Sequence, residues 1–249
     1  MPPPAASVTF LHIAAGTLVL GVAPAAMLVR KGGPSHRRWG MAFILAMAVV
    51  LVTAAFMWQP HGHLFLLLLD CVCAYLVFQG YRVIARRRRK ERDARADRLD
   101  LTAAALVLAS AVALVVLVAV SGAPLMRELA PILLAISAIA AIFAGLDLRA
   151  LTARVQTRLG SLLVHISAMI GAYISAVTAF CVINFHHVPM TARWIVPSLL
   201  GSIVIGAFST TYRRRLAGTR RAQSVPATAS SGSRSLMPTP KRLESSLPK

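Results

Sequence analysis

Seven long apolar stretches run through the chain, and short polar segments rich in arginine separate them. Each stretch is close to the ~20 residues that an α-helix needs to cross a hydrocarbon core of ~30 Å. Strand-like alternation is absent, and a bilayer admits only helices or closed barrels. The pattern predicts an all-α integral membrane bundle of seven transmembrane helices. The predicted spans are residues 7–29, 39–58, 64–84, 100–122, 128–147, 160–183 and 194–212.

The two ends of the chain differ in kind from the spans. Residues 1–6 are short and rich in proline, which predicts a flexible lead. Residues 213–249 start with basic residues and continue as a segment rich in Ser, Pro, Thr and Ala, which cannot bury a core. We expect a basic, then disordered cytoplasmic tail after a seven-helix domain of residues 7–212.

The composition excludes some classes of protein and makes others unfavourable. Of the 249 residues, 57% are hydrophobic and only 14% are charged, and the mean hydropathy is +0.69. An ordinary soluble domain has about 25% charged residues. These values exclude a disordered protein and argue against a soluble enzyme. Three cysteines without paired spacing exclude a disulfide framework.

The basic residues fall almost entirely in alternate loops. The formal net charge is +19, and four segments hold 25 of the 27 Lys and Arg residues: 30–38, 82–98, 148–159 and 213–249. Short loops rich in Lys and Arg stay in the cytoplasm. This distribution predicts an N-terminus outside, a C-terminus in the cytoplasm, and a location in the cytoplasmic (inner) membrane of a bacterium.

Tryptophans mark the predicted membrane boundaries. Trp39 lies at an inner boundary, and Trp58 and Trp194 lie at outer ones. Amphipathic rings prefer this interfacial position, so the tryptophans agree with the predicted spans.

The run Arg86–Lys90 resembles a nucleic-acid patch when it is considered alone. A basic segment directly beside a span is better explained by membrane topology and by anionic lipid headgroups, at about 1 kcal/mol per charge. We therefore expect the lipid bilayer and anionic lipids as partners of the cytoplasmic loops, and no nucleic acid.

Histidines supply the main candidates for chemistry. His12 lies about five residues inside span 1 from the outer end, and His165 about five residues inside span 6 from the inner end. At 1.5 Å per residue they are about 15 Å apart along the membrane normal, so they cannot share a metal. Each can pair with a loop histidine on its own side, and His36 is the inner loop histidine.

Haem iron accepts axial histidines, so His12, His36 and His165 are candidate ligands of b-type haem or of a quinone. Small residues near them would leave the flat space that a haem needs: Gly16 follows His12 by one turn, and Ala168 and Ala172 follow His165. The alternative is that His12 and His165 are interfacial or hydrogen-bonded helix residues without chemistry.

Four further histidines occupy predicted outer loops. His61 and His63 follow span 2, and His186 and His187 follow span 6. Imidazole suits zinc and copper, so these four are candidate metal ligands if the two loops meet. No carboxylate or cysteine accompanies them there, and a solvated polar outer face is the alternative.

Asp70 is the only carboxylate well inside a predicted span. A buried carboxylate is expensive in a membrane and needs a partner or a proton. An Asp70–His12 pair would relay a proton or orient a ligating histidine. A protonated Asp70 in a helix–helix hydrogen bond is the alternative.

Span 6 carries a row of small residues, Gly171 and Ser175 beside Ala168 and Ala172. Such rows let helices approach closely, so span 6 is predicted at the centre of the bundle. Cys71 and Cys73 are about 200° apart around a helix and point to different sides. They are therefore predicted to be packing residues.

Several of these features occur together in one known family. The segment LHIAAGTLVLGVAPAAMLVRKGGPSHRRWG holds His12, Gly16 and His36, the segment VHISAMIGAYISAVTAFCVIN holds His165, and WIVPSLLG opens span 7. Over roughly residues 8–212 the chain resembles bacterial multi-pass membrane proteins of unknown function, the DUF2306 type. The resemblance implies a membrane bundle, supplies no activity, and makes His12, His36 and His165 motif positions.

The functional expectation is a transmembrane redox protein that binds b-type haem or quinone through His12 and His165. One alternative is a small-molecule or proton-coupled transporter that uses Asp70. Another is a membrane subunit or sensor without catalysis. No Walker loop, Ser-His-Asp arrangement or HExxH motif is present, so no catalytic residue is assigned.

Overall fold

The computed structural model describes residues 4–57, 64–88, 98–152 and 157–223, which form seven helices. Their bounds are α1 Pro4–Leu28, α2 Pro34–Met57, α3 Leu64–Arg88, α4 Arg98–Val120, α5 Pro124–Thr152, α6 Arg158–Asn184 and α7 Met190–Gln223. All seven are long and apolar enough to cross a bilayer. The predicted all-helical architecture, with seven helices long and apolar enough to span a membrane, is therefore confirmed for the described residues.

The helices extend beyond several predicted spans. Helix α1 begins at Pro4, so residues 4–6 of the expected flexible lead are helical. Helix α7 continues through the basic residues after 212 and ends at Gln223. No proline interrupts this segment before Pro226, and arginines favour the C-terminal end of a helix dipole. Residues 1–3 and 224–249, the rest of the predicted lead and tail, lie outside the described residues.

A tight turn joins α1 to α2 and determines how both helices end. Gly32 has a φ of 77°, in the left-handed region that glycine enters without steric penalty. Pro34 is the first residue of α2, where its missing N–H removes no helical hydrogen bond. The Lys31 ammonium donates to the carbonyls of Ala26 and Met27 in the last turn of α1. The turn thus satisfies carbonyls that the end of a helix leaves open.

Helix α6 packs against α1, α3 and α7. Its Ala168 and Ala172 are fully buried in a cluster with Val19 of α1, Met47 of α2 and Leu76 of α3. Small side chains allow these neighbouring helices to approach α6 closely. The predicted central position of span 6 is not confirmed, because α3 is more deeply buried than α6. A side chain on Gly201 of α7 would collide with Ile174 of α6.

Two further clusters hold α3, α4 and α5 together. One contains Val107 of α4 and Ala144 of α5. The other contains Leu114, Leu129 and Trp194. Trp194 is buried there, and its ring fills a gap between helices, while its depth at the outer membrane boundary stays a prediction. Trp39 is exposed, and Trp58 lies outside the described residues.

Successive helices run in opposite directions, so each helix begins at the end of the bundle where the preceding helix finishes. At the end that we call the basic end, α1, α3, α5 and α7 finish and α2, α4 and α6 begin. We call the other end the distal end. Between them the outward surface exposes many large apolar side chains, such as Leu45, Ile139 and Leu199. Such a surface suits hydrocarbon and is abnormal for contact with water.

Candidate functional site

A cavity of about 450 Å³ opens among α1, α2, α3, α6 and α7 at the basic end. Its size falls in the range of small-molecule sites. Apolar side chains form most of its wall, among them Met27, Phe43, Ile166 and Met169. A cavity that apolar walls enclose selects a ligand with a substantial hydrophobic body.

His36 of α2 reaches the cavity and is anchored to the end of α1. Its Nδ1 lies 2.9 Å from the carbonyl oxygen of Ala26. A carbonyl only accepts, so Nδ1 must carry the proton and donate it. In the neutral ring the lone pair is then on Nε2, the nitrogen that faces away from α1.

His165 of α6 is held in the same way by α3. Its Nδ1 donates to the carbonyl oxygen of Gly80, at 2.7 Å. Gly80 permits this contact because it has no side chain: an added Cβ would meet Met169 at 3.1 Å and Ala168 at 3.3 Å. The neutral ring of His165 therefore also carries its lone pair on Nε2.

The two histidines of the predicted inner group lie next to each other on the cavity wall. The ring centroids of His36 and His165 are 6.4 Å apart, and the ring planes make an angle of 77°. In each ring, Nδ1 donates to a backbone carbonyl, and this hydrogen bond fixes the orientation of the ring. The same kind of hydrogen bond, from the nitrogen that does not bind the metal, fixes the tautomer of metal-ligating histidines in proteins.

Cations and phenols line other parts of the cavity. Lys31, Arg37, Tyr81 and Tyr212 all contribute to its wall. The Lys31 ammonium also lies 5.3 Å from the centroid of the Phe208 ring, within cation–π distance. Partial burial lowers the pKa of Lys31 below its ordinary value. The cavity thus combines an apolar wall with positive charge, which fits an amphipathic anion.

His12 is separate from this cavity, at the distal end. Its Nδ1 lies 2.9 Å from Oγ1 of Thr53 on α2. The Thr53 hydroxyl donates to the carbonyls of Val49 and Val50, so it accepts from Nδ1–H of His12. The contact joins α1 to α2 and matches the alternative of a hydrogen-bonded helix residue. The chain pattern did not single out Thr53, a hydroxyl within an apolar helix.

Asp70 is half-buried on α3. Among the described residues no hydrogen bond or ion pair holds its carboxylate, and His12 donates to Thr53 instead. The expected Asp70–His12 pair is therefore not formed. Cys71 is exposed and Cys73 is buried, so they point to different sides, as predicted.

The outer loop histidines do not make a described metal centre. His186 and His187 are exposed, and the ring of His187 lies 6.0 Å from that of Phe185. His61 and His63 lie outside the described residues. Within the described ranges no group of three or more His, Cys, Asp or Glu side chains could hold a metal ion.

The small residues that follow His165 do not supply the flat space predicted for a haem. Ala168 and Ala172 are fully buried in helix contacts. Gly16 does not line the cavity, and nothing described lies within 4 Å of an added Cβ there. The space arises instead where the ends of five helices diverge around the α1–α2 turn.

A buried ionic network beside the cavity was missed by the sequence interpretation, which counted Arg82 and Arg86 only as loop cations. Both belong to α3, where their side chains are 18% and 15% exposed. They contact Asp100 of α4, and Arg86 also contacts Asp147 of α5. Arg86 is thus unavailable to lipid headgroups, while residues 89–97 lie outside the described residues. The spacing of Arg82 and Arg86, one turn apart, is the signal that could have indicated a shared partner.

No family model, curated protein or solved structure matches this chain. The resemblance to the DUF2306-type family therefore stays a prediction that depends on the motifs around His12, His36 and His165.

Proposed function

We propose that this is a multi-pass protein of a bacterial cytoplasmic membrane, with its basic end in the cytoplasm. The separation of 25 of 27 basic residues into alternate segments supports this orientation. Alkaline phosphatase fused after residue 60 should be active, and the same enzyme fused after residue 223 should be inactive. The opposite pair of results would overturn the orientation.

We propose further that the cavity binds haem b, with His36 and His165 as its two axial ligands. The observation that carries this proposal is the pair of rings, each oriented by a backbone carbonyl, with centroids 6.4 Å apart. A metal at about 2 Å from each Nε2 would place the ring centroids about 6 Å apart. This is the inner pair that the sequence grouped together, and His12, the other candidate ligand, lies at the distal end.

Haem fits this donor set better than a bare metal ion does. A bound zinc ion needs about four protein donors, whereas the described residues offer no group of three or more His, Cys, Asp or Glu. Haem brings its own four nitrogens and needs only the axial pair. Its apolar macrocycle suits the walls, and Lys31 and Arg37 suit its propionates.

An absorption spectrum tests the proposal. Protein purified from membranes of cells supplied with haem should show a Soret band that His36→Ala and His165→Ala remove. His165→Met should restore binding with an altered spectrum, since a thioether also ligates haem iron. His12→Ala and His187→Ala are matched controls and should leave the band intact. A wild-type protein without a Soret band would falsify the proposal, as would a band that survives loss of both cavity histidines.

A membrane quinone is the second candidate occupant, and the position of the cavity mouth favours it. Met41 and Tyr81 line the cavity and are 43% and 45% exposed. Both lie within helices long enough to span a bilayer, so a lipid-soluble molecule has a lateral route. The Nε2 atoms of His36 and His165 would accept the hydroxyl protons of a quinol. Solvent extraction of haem-free protein should then release quinone, and less from His165→Ala.

The transporter and sensor alternatives gain less support. Asp70 contacts no described ionic partner and does not line the cavity. We therefore favour a redox protein over a transporter. Asp70→Asn should leave the cofactor content of the protein unchanged.

A further inference from the structure

The ionic network beside the cavity is tightest around Asp100. Arg82 donates to both of its carboxylate oxygens, each at 3.1 Å. Arg86 Nη1 lies 3.1 Å from Asp100 Oδ2, and the Asp100 side chain has no exposed surface. Such a forked contact between guanidinium and carboxylate is the strongest form of ion pair. Asp100 is therefore held by both guanidinium groups at once.

Asp147 is held more loosely in the same network. Arg86 Nη2 lies 3.4 Å from its Oδ1, and the Tyr75 hydroxyl donates to its Oδ2 at 3.5 Å. Tyr75, Gln79 and Arg86 face it from α3, and Asp100 faces it from α4. Two guanidinium groups thus share two carboxylates, and Asp147 is the one with longer contacts and 6% side-chain exposure. Of the two acids, Asp147 is the one that can change its charge.

Helix α3 separates this network from the cavity. Tyr75, Arg82 and Arg86 face the network, while Gly80 and Tyr81 face the cavity. A helix with its side chains is about 10–12 Å thick. A charge that appears in the cavity is therefore separated from Asp147 by about the thickness of one helix. Two charges still interact over that distance in the low-dielectric interior of a protein.

We infer that Asp147 takes up one proton when one electron enters the cofactor of the cavity. The inference rests on the proposed haem site. The electron would come from an external donor, a quinol in the membrane or dithionite in the cuvette, and a haem held by His36 and His165 would accept it. The proton comes from solvent at the basic end and converts the Asp147 carboxylate to a carboxylic acid. The added negative charge of the cofactor and the added positive charge at Asp147 then compensate each other.

Redox titration of the haem-loaded, full-length protein tests the inference. The midpoint potential should fall as pH rises, by up to about 59 mV per pH unit for one proton per electron. Asp147→Asn keeps the size of the side chain, so the haem should remain bound while the pH dependence disappears. Tyr75→Phe removes one hydrogen bond to the carboxylate and should move the pH range of the slope. Asp70→Asn, the same substitution on α3 outside the network, is the matched control and should keep the wild-type slope.

Infrared difference spectra give a readout that does not depend on potential. Reduction should produce a protonated carboxyl band that shifts in deuterated water and is missing in Asp147→Asn. Haem binding with a pH-independent potential in the wild type overturns the proton-uptake inference alone. Absence of haem overturns the proposed function first, so the two failures are distinguishable. If Asp147→Asn does not fold, an unchanged slope in Tyr75→Phe together with no carboxyl band in the wild type counts against the inference.

Discussion

His165 donates its Nδ1–H to the backbone carbonyl of Gly80 at 2.7 Å, across the contact between α6 and α3. The carbonyl lies in the middle of a helix, so it already belongs to the helical hydrogen-bond ladder. A side chain reaches it only because residue 80 is glycine and the two helices approach closely. The orientation of a candidate ligand thus depends on a residue that contributes no chemistry of its own.

Gly80→Ala should weaken both the helix contact and the cofactor site. The new Cβ would meet Ala168 Cβ and Met169 Cε, each at 3.3 Å, and Ala168 cannot rotate away. Overpacking of this kind costs about 1–3 kcal/mol, which exceeds the gain from placing alanine in a helix. Thermal unfolding in detergent and haem titration measure the two effects. Gly145→Ala is the control, because nothing described lies within 4 Å of its added Cβ, and it should be neutral or stabilising.

Thr53→Val should destabilise the α1–α2 contact and leave haem binding unchanged. Thr53 is buried, and valine has its shape without its hydroxyl, so the Nδ1–H of His12 would lose its acceptor. An unpaired buried donor costs about 1–3 kcal/mol. Chemical denaturation of Thr53→Val, His12→Phe and the double variant isolates their interaction. Thr17→Val is the control, since exposed Thr17 bonds only the Ile13 carbonyl in its own helix. Additive effects of the two substitutions would contradict the pairing.

Removal of Asp100 should be the most damaging change in the ionic network. Asp100→Leu would remove the shared partner of Arg82 and Arg86 and leave one positive charge in excess in a buried place. Loss of one partner of a buried ion pair costs about 3–5 kcal/mol. The double variant Arg82→Met with Asp100→Leu restores the charge balance and should be more stable than Asp100→Leu alone. The unfolding midpoints of the two variants measure this difference in stability. An equal loss of stability in both would indicate that charge balance is unimportant here.

The pKa of Lys31 makes stability depend on pH in the alkaline range. Burial lowers this pKa below the ordinary value of 10.5, so folded protein releases the proton at a lower pH than unfolded protein does. Between the lowered value and 10.5 the unfolded state binds more protons, and stability therefore rises with pH. Lys31→Arg stays charged throughout and should lack this increment. Unfolding of both proteins from neutral pH up to 10.5 provides the comparison, and parallel curves would contradict the assignment to Lys31.

The helices were predictable because their signal is local. Apolar stretches near twenty residues long, such as 100–122, must cross a bilayer as helices, since lipid offers no hydrogen bonds to a bare backbone. The small residues around Gly171 likewise indicated a helix that its neighbours approach closely. Trp194 shows the limit of that reasoning. Its place in the chain predicts the depth of the ring in the membrane, but its packing against Leu114 and Leu129 depends on how α7 is rotated.

The pattern of the chain by itself determined seven helices, their approximate ends and the grouping of His36 with His165, because length, hydropathy and depth follow from position in the chain. Only the tertiary structure decided that His12 bonds Thr53 and that Asp70 does not meet His12. It also decided that Arg82 and Arg86 face inward to Asp100. The physical reason is that these contacts depend on how each helix is rotated and how closely it approaches its neighbours. Those quantities arise from many packing contacts at once, and the small side chain of Gly80 has its effect only when α6 lies against it.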